Sequence, residues 1–258
     1  MTFTSAQIAA WVGSFLWPFM RIGAMFMAAP IFSSHSVPVR IRLALALAVS
    51  WVLAPVIPAV PAVDPISAQG VLIGLHQVLI GVAMGFALQM VFNALIIGGQ
   101  AIANSMGLGF ASIVDPENGV QVPVISQYYL IMTMLVFLAL NGHLVLLELL
   151  ADSFRTLPVG ASGLSREALW MLVNWAGQMF VGAVLLALPA IVALLVVNLS
   201  FGVMTRAAPQ LNIFAVGFPV TLLLGFLIVL MTAPSLTPHI ENLTAEGFGL
   251  VRRLISGG

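Results

Sequence analysis

Residues 71–97 read VLIGLHQVLIGVAMGFALQMVFNALII, a run with no Asp, Glu, Lys or Arg. A helix needs ~20 apolar residues to cross ~30 Å of hydrocarbon. Barrel strands instead alternate apolar and polar positions over about 10 residues, and this run does not alternate. The stretch therefore predicts a helix in apolar surroundings. Five more runs flank it: Ile8 to Phe32, Leu43 to Val60, Gln127 to Leu150, Leu169 to Leu199 and Ile213 to Ala233. The expectation is an all-α, polytopic membrane protein with six long apolar helical segments in a single membrane-embedded domain spanning residues 1–258.

Composition agrees. Hydrophobic residues make up 61% of the 258 and charged ones 6%, against about 25% charged in soluble domains. The formal net charge is zero, and all eight basic residues are Arg. No basic face is offered to nucleic acid. The absence of Cys removes disulfides, thiolate metal sites and thiol nucleophiles. Met1 to Ala10 lacks a basic n-region, so the N-terminus reads as part of the mature protein.

Two features strain a simple six-span reading. Val71 to Asn104, if one helix, runs on the order of 50 Å at ~1.5 Å per residue, more than a bilayer needs. The charge bias is also mute. With the N-terminus outside, odd connections hold Arg40, Arg42 and Arg206, and the opposite side holds Arg155, Arg166, Arg252 and Arg253. The positive-inside rule gives no orientation from these, although the first hairpin favours an outside N-terminus. Fewer genuine crossings than six, with helices buried against protein, are expected.

Arg21 stands near the middle of the first run, where a charge costs at least ~2.5 kcal/mol. It needs a partner or water. One reading is an ion pair holding the fold, with Glu148 or another subunit; the other is a direct role in transport. Along the third segment, Gly70, Gly74, Gly81 and Gly85 share a helical face, permitting close backbone approach to a neighbour. Gln89, Asn93, Gln100 and Asn104 repeat that spacing as a polar stripe, read either as interhelical packing or as the lining of a watery conduit.

Catalytic patterns are absent. His35, His76, His143 and His239 never reach metal-ligand spacing, and no HExxH, G-x-S-x-G, Walker loop or dinucleotide fingerprint occurs. The reading is therefore a non-enzyme, with no catalytic, cofactor-binding or metal residues.

The connection after the third run is unlike a solvated loop. Apolar Met106, Leu108, Phe110, Ile113 and Val114 stand among glycines before the turn Asp115-Pro116-Glu117-Asn118-Gly119. Gly107 and Gly109 supply backbone freedom. Irregular apolar backbone at membrane depth is tolerated only when buried in protein or lining a cavity. Met106 to Val122 is thus either a constricting element in a passage or a loop packed on a subunit neighbour.

In its whole-chain layout, in GQAIANSMGLGFASIVDPENG (residues 99–119) and in RAAPQLNIFAVGFP (residues 206–219), the sequence resembles the FliR family of the flagellar type III export apparatus, related to the injectisome SctT proteins. The most specific signal is Arg206, Pro209, Gln210, Leu211, Asn212 and Phe214. The resemblance implies an inner-membrane protein of the flagellar basal body, packed as a subunit of a helical export gate with FliP and FliQ, with FlhB and FlhA nearby. It implies a FliP-like N-terminal part, a FliQ-like C-terminal part and a central channel for unfolded export substrates. It further implies a plug made by Met106, Gly107, Leu108, Gly109, Phe110, Ile113, Val114, Asp115 and Pro116. For the Arg206 block, Pro209 ends helical hydrogen bonding, which predicts a structural hinge between the last two helices. The competing class is a secondary transporter for a small solute, using Gly- and Pro-interrupted helices such as the one containing Pro189. An intramembrane hydrolase lacks its nucleophile and base in any recognisable pattern.

Overall fold

In the computed structural model, residues 5–33, 37–109, 123–207 and 213–257 are described. Among them the secondary structure is α-helical, in seven helices: α1 (Ser5–Ala28), α2 (Val39–Leu53), α3 (Ala68–Ser105), α4 (Val124–Ala139), α5 (Gly142–Thr156), α6 (Arg166–Ala207) and α7 (Ile213–Ile255).

The apolar runs and the helices do not coincide. The fourth run is two helices, because Asn141 takes a left-handed φ of 56° and the chain restarts at Gly142. Asn is among the few residues that adopt this conformation readily. The sixth run continues past Ala233 to Ile255, through Pro234 and Pro238. Leu236, Ile240, Leu243, Gly247, Leu250 and Leu254 are buried along this extension. Their alternating spacings of four and three residues put them on one helical face.

The six runs do not translate into six spans. Of the described helices, three are long and apolar enough to cross a membrane, α3, α6 and α7, with a fourth if α4 and α5 count as one broken span. Helix α2, at 15 residues, is about 22 Å long at ~1.5 Å per residue. That falls short of ~30 Å. The overlong helices are present: α3 has 38 residues, α6 42 and α7 43.

The chain forms two compact units. Unit 1 comprises Met1–Val91, Leu140–Ala176 and Thr244–Gly258. Its core is one face of α1, with Trp17, Ile22, Met25 and Phe26 buried, against Ile73, Ile80, Met84 and Leu88 of α3. Leu146, Leu150 and Phe154 of α5 and the end of α7 complete it. Gly81 explains how near α1 and α3 come: an added Cβ would lie 2.2 Å from the Arg21 carbonyl oxygen, and at Gly85 it would lie 2.7 Å from Ala28 Cβ. Gly74 meets Met20 and Trp17 in the same way, whereas Gly70 faces the carbonyls of Asp64 and Pro65 in its own preceding turn. Three of the four aligned glycines therefore serve the helix contact.

Unit 2 comprises Phe92–Ala139 and Gly177–Leu243. Adjacent glycines on α3 receive different helices here. A Cβ at Gly98 would meet Leu186 and the Ala183 carbonyl of α6, and one at Gly99 would meet Ser126 and Tyr129 of α4. Phe92 and Phe137 close the α3–α4 contact edge to face, with centroids 5.6 Å apart. His239 Nε2 lies 3.1 Å from the Gly182 carbonyl oxygen, joining α7 to α6.

Candidate functional site: a buried arginine and the end of α3

In unit 1 the mid-run cation is fully buried. Arg21 Nε donates to Gln77 Oε1 at 2.9 Å, and Nη2 donates to the same oxygen. Nη1 donates to the Ser153 carbonyl at 2.8 Å and to Ser153 Oγ at 3.0 Å, while Nη2 also reaches the Leu157 carbonyl at 2.8 Å. The guanidinium carbon sits 4.3 Å from the Phe154 ring centroid. A guanidinium has five N–H donors, and these five contacts use them all.

Every partner is neutral. The ion pair found among the described residues is Arg155–Asp152 on the surface of α5, and Glu148 is exposed. The proposed Arg21–Glu148 pair is therefore corrected. The charge is instead met by the C-terminal end of α5, whose last turn contributes Ser153 and whose cap is Leu157. Terminal helix carbonyls carry a partial negative charge and lack intrahelical donors, so a cation there satisfies both deficits. Gln77 was not singled out from sequence, yet the signal existed: it lies between Gly74 and Gly81 on the face that meets α1.

In unit 2, the end of α3 is built by a glycine turn. Leu108 N–H donates to the Ala103 carbonyl and Gly107 N–H to the Asn104 carbonyl, both at 3.0 Å. Gly107 has φ 85°. This pair of bonds around a left-handed residue is the Schellman arrangement, and it satisfies carbonyls that the helix end would otherwise orphan. Met106, immediately before it, is fully buried. Its side chain lies over Gly225 of α7, where an added Cβ would come within 2.4 Å of Met106 Cγ. Gly225 was missed in the sequence because it sits in an otherwise uniform apolar run.

The polar stripe is divided by exposure. Gln89 and Asn93 are half-buried and engaged with partners, while Gln100 and Asn104 are exposed. Of the plug residues, Met106, Gly107, Leu108 and Gly109 are described; Phe110, Ile113, Val114, Asp115 and Pro116 lie outside the described residues. So do Pro209, Gln210, Leu211 and Asn212, along with the side chain of Phe214; Arg206 is exposed in the last turn of α6. Among the described residues no group of His, Asp or Glu could hold a metal ion.

An all-helical membrane chain with overlong helices, a neutral-shelled buried arginine and a glycine-turned helix end matches the family described as "Bacterial export proteins, family 1" over residues 12–247, and it belongs to that family. Among individual relatives, it is 39% identical over 253 residues to the flagellar biosynthetic protein FliR of Escherichia coli (strain K12), covering 98% of this chain and 97% of that protein. It is 37% identical to FliR of Pectobacterium carotovorum subsp. carotovorum, covering 99% and 98%. To FliR of Bacillus subtilis (strain 168) it is 28% identical, covering 94% and 95%.

Proposed function

We propose that this chain is a non-enzymatic core component of the flagellar type III export gate, needed for flagellum assembly in the bacterial inner membrane. The observation that carries the reading is the near full-length likeness to flagellar biosynthetic proteins named FliR. Transport by such a chain is a matter of forming and closing a passage, with the energy supplied elsewhere. The small-solute transporter has no comparable support.

In this reading the chain joins FliP and FliQ in a hetero-oligomer of the basal body, with FlhB and FlhA nearby, and unfolded flagellar proteins pass through the assembly. Its N-terminal part plays a FliP-like role and its C-terminal part a FliQ-like one. Met106 to Val122 serves as the plug, Gln89, Asn93, Gln100 and Asn104 line or pack the path, and the block from Arg206 to Phe214 is the hinge between α6 and α7. The α3 terminus supports the plug assignment, because its carbonyls are satisfied before the chain enters an apolar, glycine-rich stretch.

Deleting Gly107 to Ile113 tests the plug. Small-ion leakage through the inner membrane should rise while the complex still assembles; an unchanged seal counts against it. Deleting the whole gene should abolish flagella, and affinity purification of the chain should bring small helical partners with it. Isolation as a folded, solute-binding monomer would sink the export reading.

A further inference from the structure

Both of the last two helices hold proline where an uninterrupted helix would use a backbone N–H. α6 loses one such donor, at Pro189, whereas α7, besides Pro219 near its start, loses two in succession at Pro234 and Pro238. Proline has no N–H to give to the carbonyl four residues earlier. In unit 2 the carbonyls of Leu230 and Pro234 are therefore deprived of their helical donors. The hydroxyls close by are committed to other acceptors. Thr232 Oγ1 donates to the Ile228 carbonyl at 2.9 Å and to that of Val229 at 3.2 Å, and Ser235 Oγ donates to the Thr232 carbonyl at 2.7 Å.

These two residues lie about one turn apart on the outer face of α7. Leu230 is 70% exposed and Pro234 and Pro238 are exposed, while Val229, Leu236, Ile240 and Leu243 form the buried face. From residue 213 to residue 240 the helix contains no Asp, Glu, Lys or Arg, and it is among those apolar enough to cross a membrane. Backbone acceptors in hydrocarbon must be satisfied from within protein. What this face needs is a hydrogen-bond donor, and that need decides the occupant. Acyl chains carry none, whereas Ser, Thr, Asn and Gln side chains of a packed helix bridge helices in this way.

We propose that the outer face of α7 from Leu230 to Pro238 seats a helix of another subunit, whose hydroxyl or amide side chains donate to the carbonyls of Leu230 and Pro234. Leu223, Leu227 and Met231, exposed on the same face, supply the apolar part of the contact. The partner takes its identity from the export-gate reading, on which this inference rests. Its chemistry, a helix bearing side-chain donors, follows from α7 alone.

Leu230-Met231 is the one Leu-Met dipeptide in the chain, so carbon-13 in leucine carbonyls combined with nitrogen-15 in methionine isolates the Leu230 carbonyl by solid-state NMR. The labelled full-length chain is reconstituted in phosphatidylcholine bilayers, alone and with unlabelled FliP and FliQ. Alone, the Leu230 resonance should fall at the position of a carbonyl without a donor; with the two subunits bound it should move downfield, as hydrogen-bonded carbonyls do. Pro234→Ala restores the helical donor, so its Leu230 resonance should lie downfield in both samples. Its affinity for the subunits should fall about fivefold, the equivalent of the ~1 kcal/mol of one interhelical hydrogen bond. The substitution favours helix, so folding is not at risk. A downfield resonance in the wild-type chain alone would assign the donor to water or to the helix itself, and would overturn the proposal. Binding of both subunits with no movement of the resonance, or unchanged affinity of Pro234→Ala, would overturn it and leave the export-gate reading standing. Failure of FliP and FliQ to bind the wild type would count against that reading itself and remove the partner proposed.

Discussion

Unit 1 and unit 2 take successive stretches of the same long helices, α3, α6 and α7, yet they are not fastened alike. In unit 1, α1, α3 and α5 converge on a charged side chain whose donors are all used by neutral oxygens. In unit 2, Gly98, Gly99, Gly182 and Gly225 each admit a neighbour's side chain or backbone, and rings meet at Phe92–Phe137. The polar cluster is directional and intolerant of a missing partner, and unit 1 adds it to close glycine contacts of its own at Gly74, Gly81 and Gly85; in unit 2 a contact made through a side chain, such as Met106 on Gly225, tolerates small adjustments, while those of Gly98 and Gly99 with backbone do not. Buried polar groups are costly when left unpaired, whereas flexible apolar side chains can re-rotamer at modest cost.

That contrast can be broken at its strongest point first. Arg21→Ala strands the acceptors of Gln77, Ser153 and Leu157 and leaves a cavity, so it should destabilise the chain by about 3 kcal/mol, read as a lowered unfolding midpoint in detergent. Arg21→Lys should not restore it, since an ammonium cannot reproduce the guanidinium fork. A midpoint for either variant equal to wild type would remove the polar fastening from the account. Gly81→Ala comes next. Its Cβ would stand 2.2 Å from backbone at Arg21, and since backbone cannot swing aside, the cost should approach ~2 kcal/mol.

Gly225→Ala in unit 2 meets a comparably short contact, but with Met106, a flexible side chain. The loss should be about 1 kcal/mol. Adding Met106→Ala should cost less than the two single losses summed, because the second change removes the clash created by the first. Strict additivity would mean that Met106 and Gly225 do not act on one another. The smallest effect should come from Gly177→Ala, where a Cβ meets nothing within 4 Å. Helix propensity alone then predicts a gain of roughly 0.5–1 kcal/mol.

Most of the fold's character was readable because burial in apolar surroundings leaves an unmistakable composition. The glycine face of α3 was readable for the same reason, with Gly74, Gly81 and Gly85 spaced at helical intervals against α1. Helix limits were less so. Asn141-Gly142 is a turn dipeptide, but it lies inside a run apolar enough to mask it, and the extension of α7 becomes visible only when the four–three spacing from Leu236 to Leu254 is followed through two prolines. The partners of Arg21 could be narrowed but not completed. Gln77 falls on the face pointing at α1, whereas Ser153 and Leu157 take part largely through backbone carbonyls, which every residue possesses and no side-chain pattern announces.

The Arg21 contacts also set a timetable. Its carbonyl acceptors lie 132 and 136 residues downstream, at Ser153 and Leu157. At a ribosomal pace of roughly 5–20 residues per second, on the order of ten seconds pass between synthesis of the cation and synthesis of the groups that receive it. Gln77, 56 residues on, arrives sooner and through a single oxygen. During that interval α1 carries an incompletely coordinated charge, so its final placement waits on α5, and a nascent chain arrested before Leu157 should leave the first helix still within reach of water.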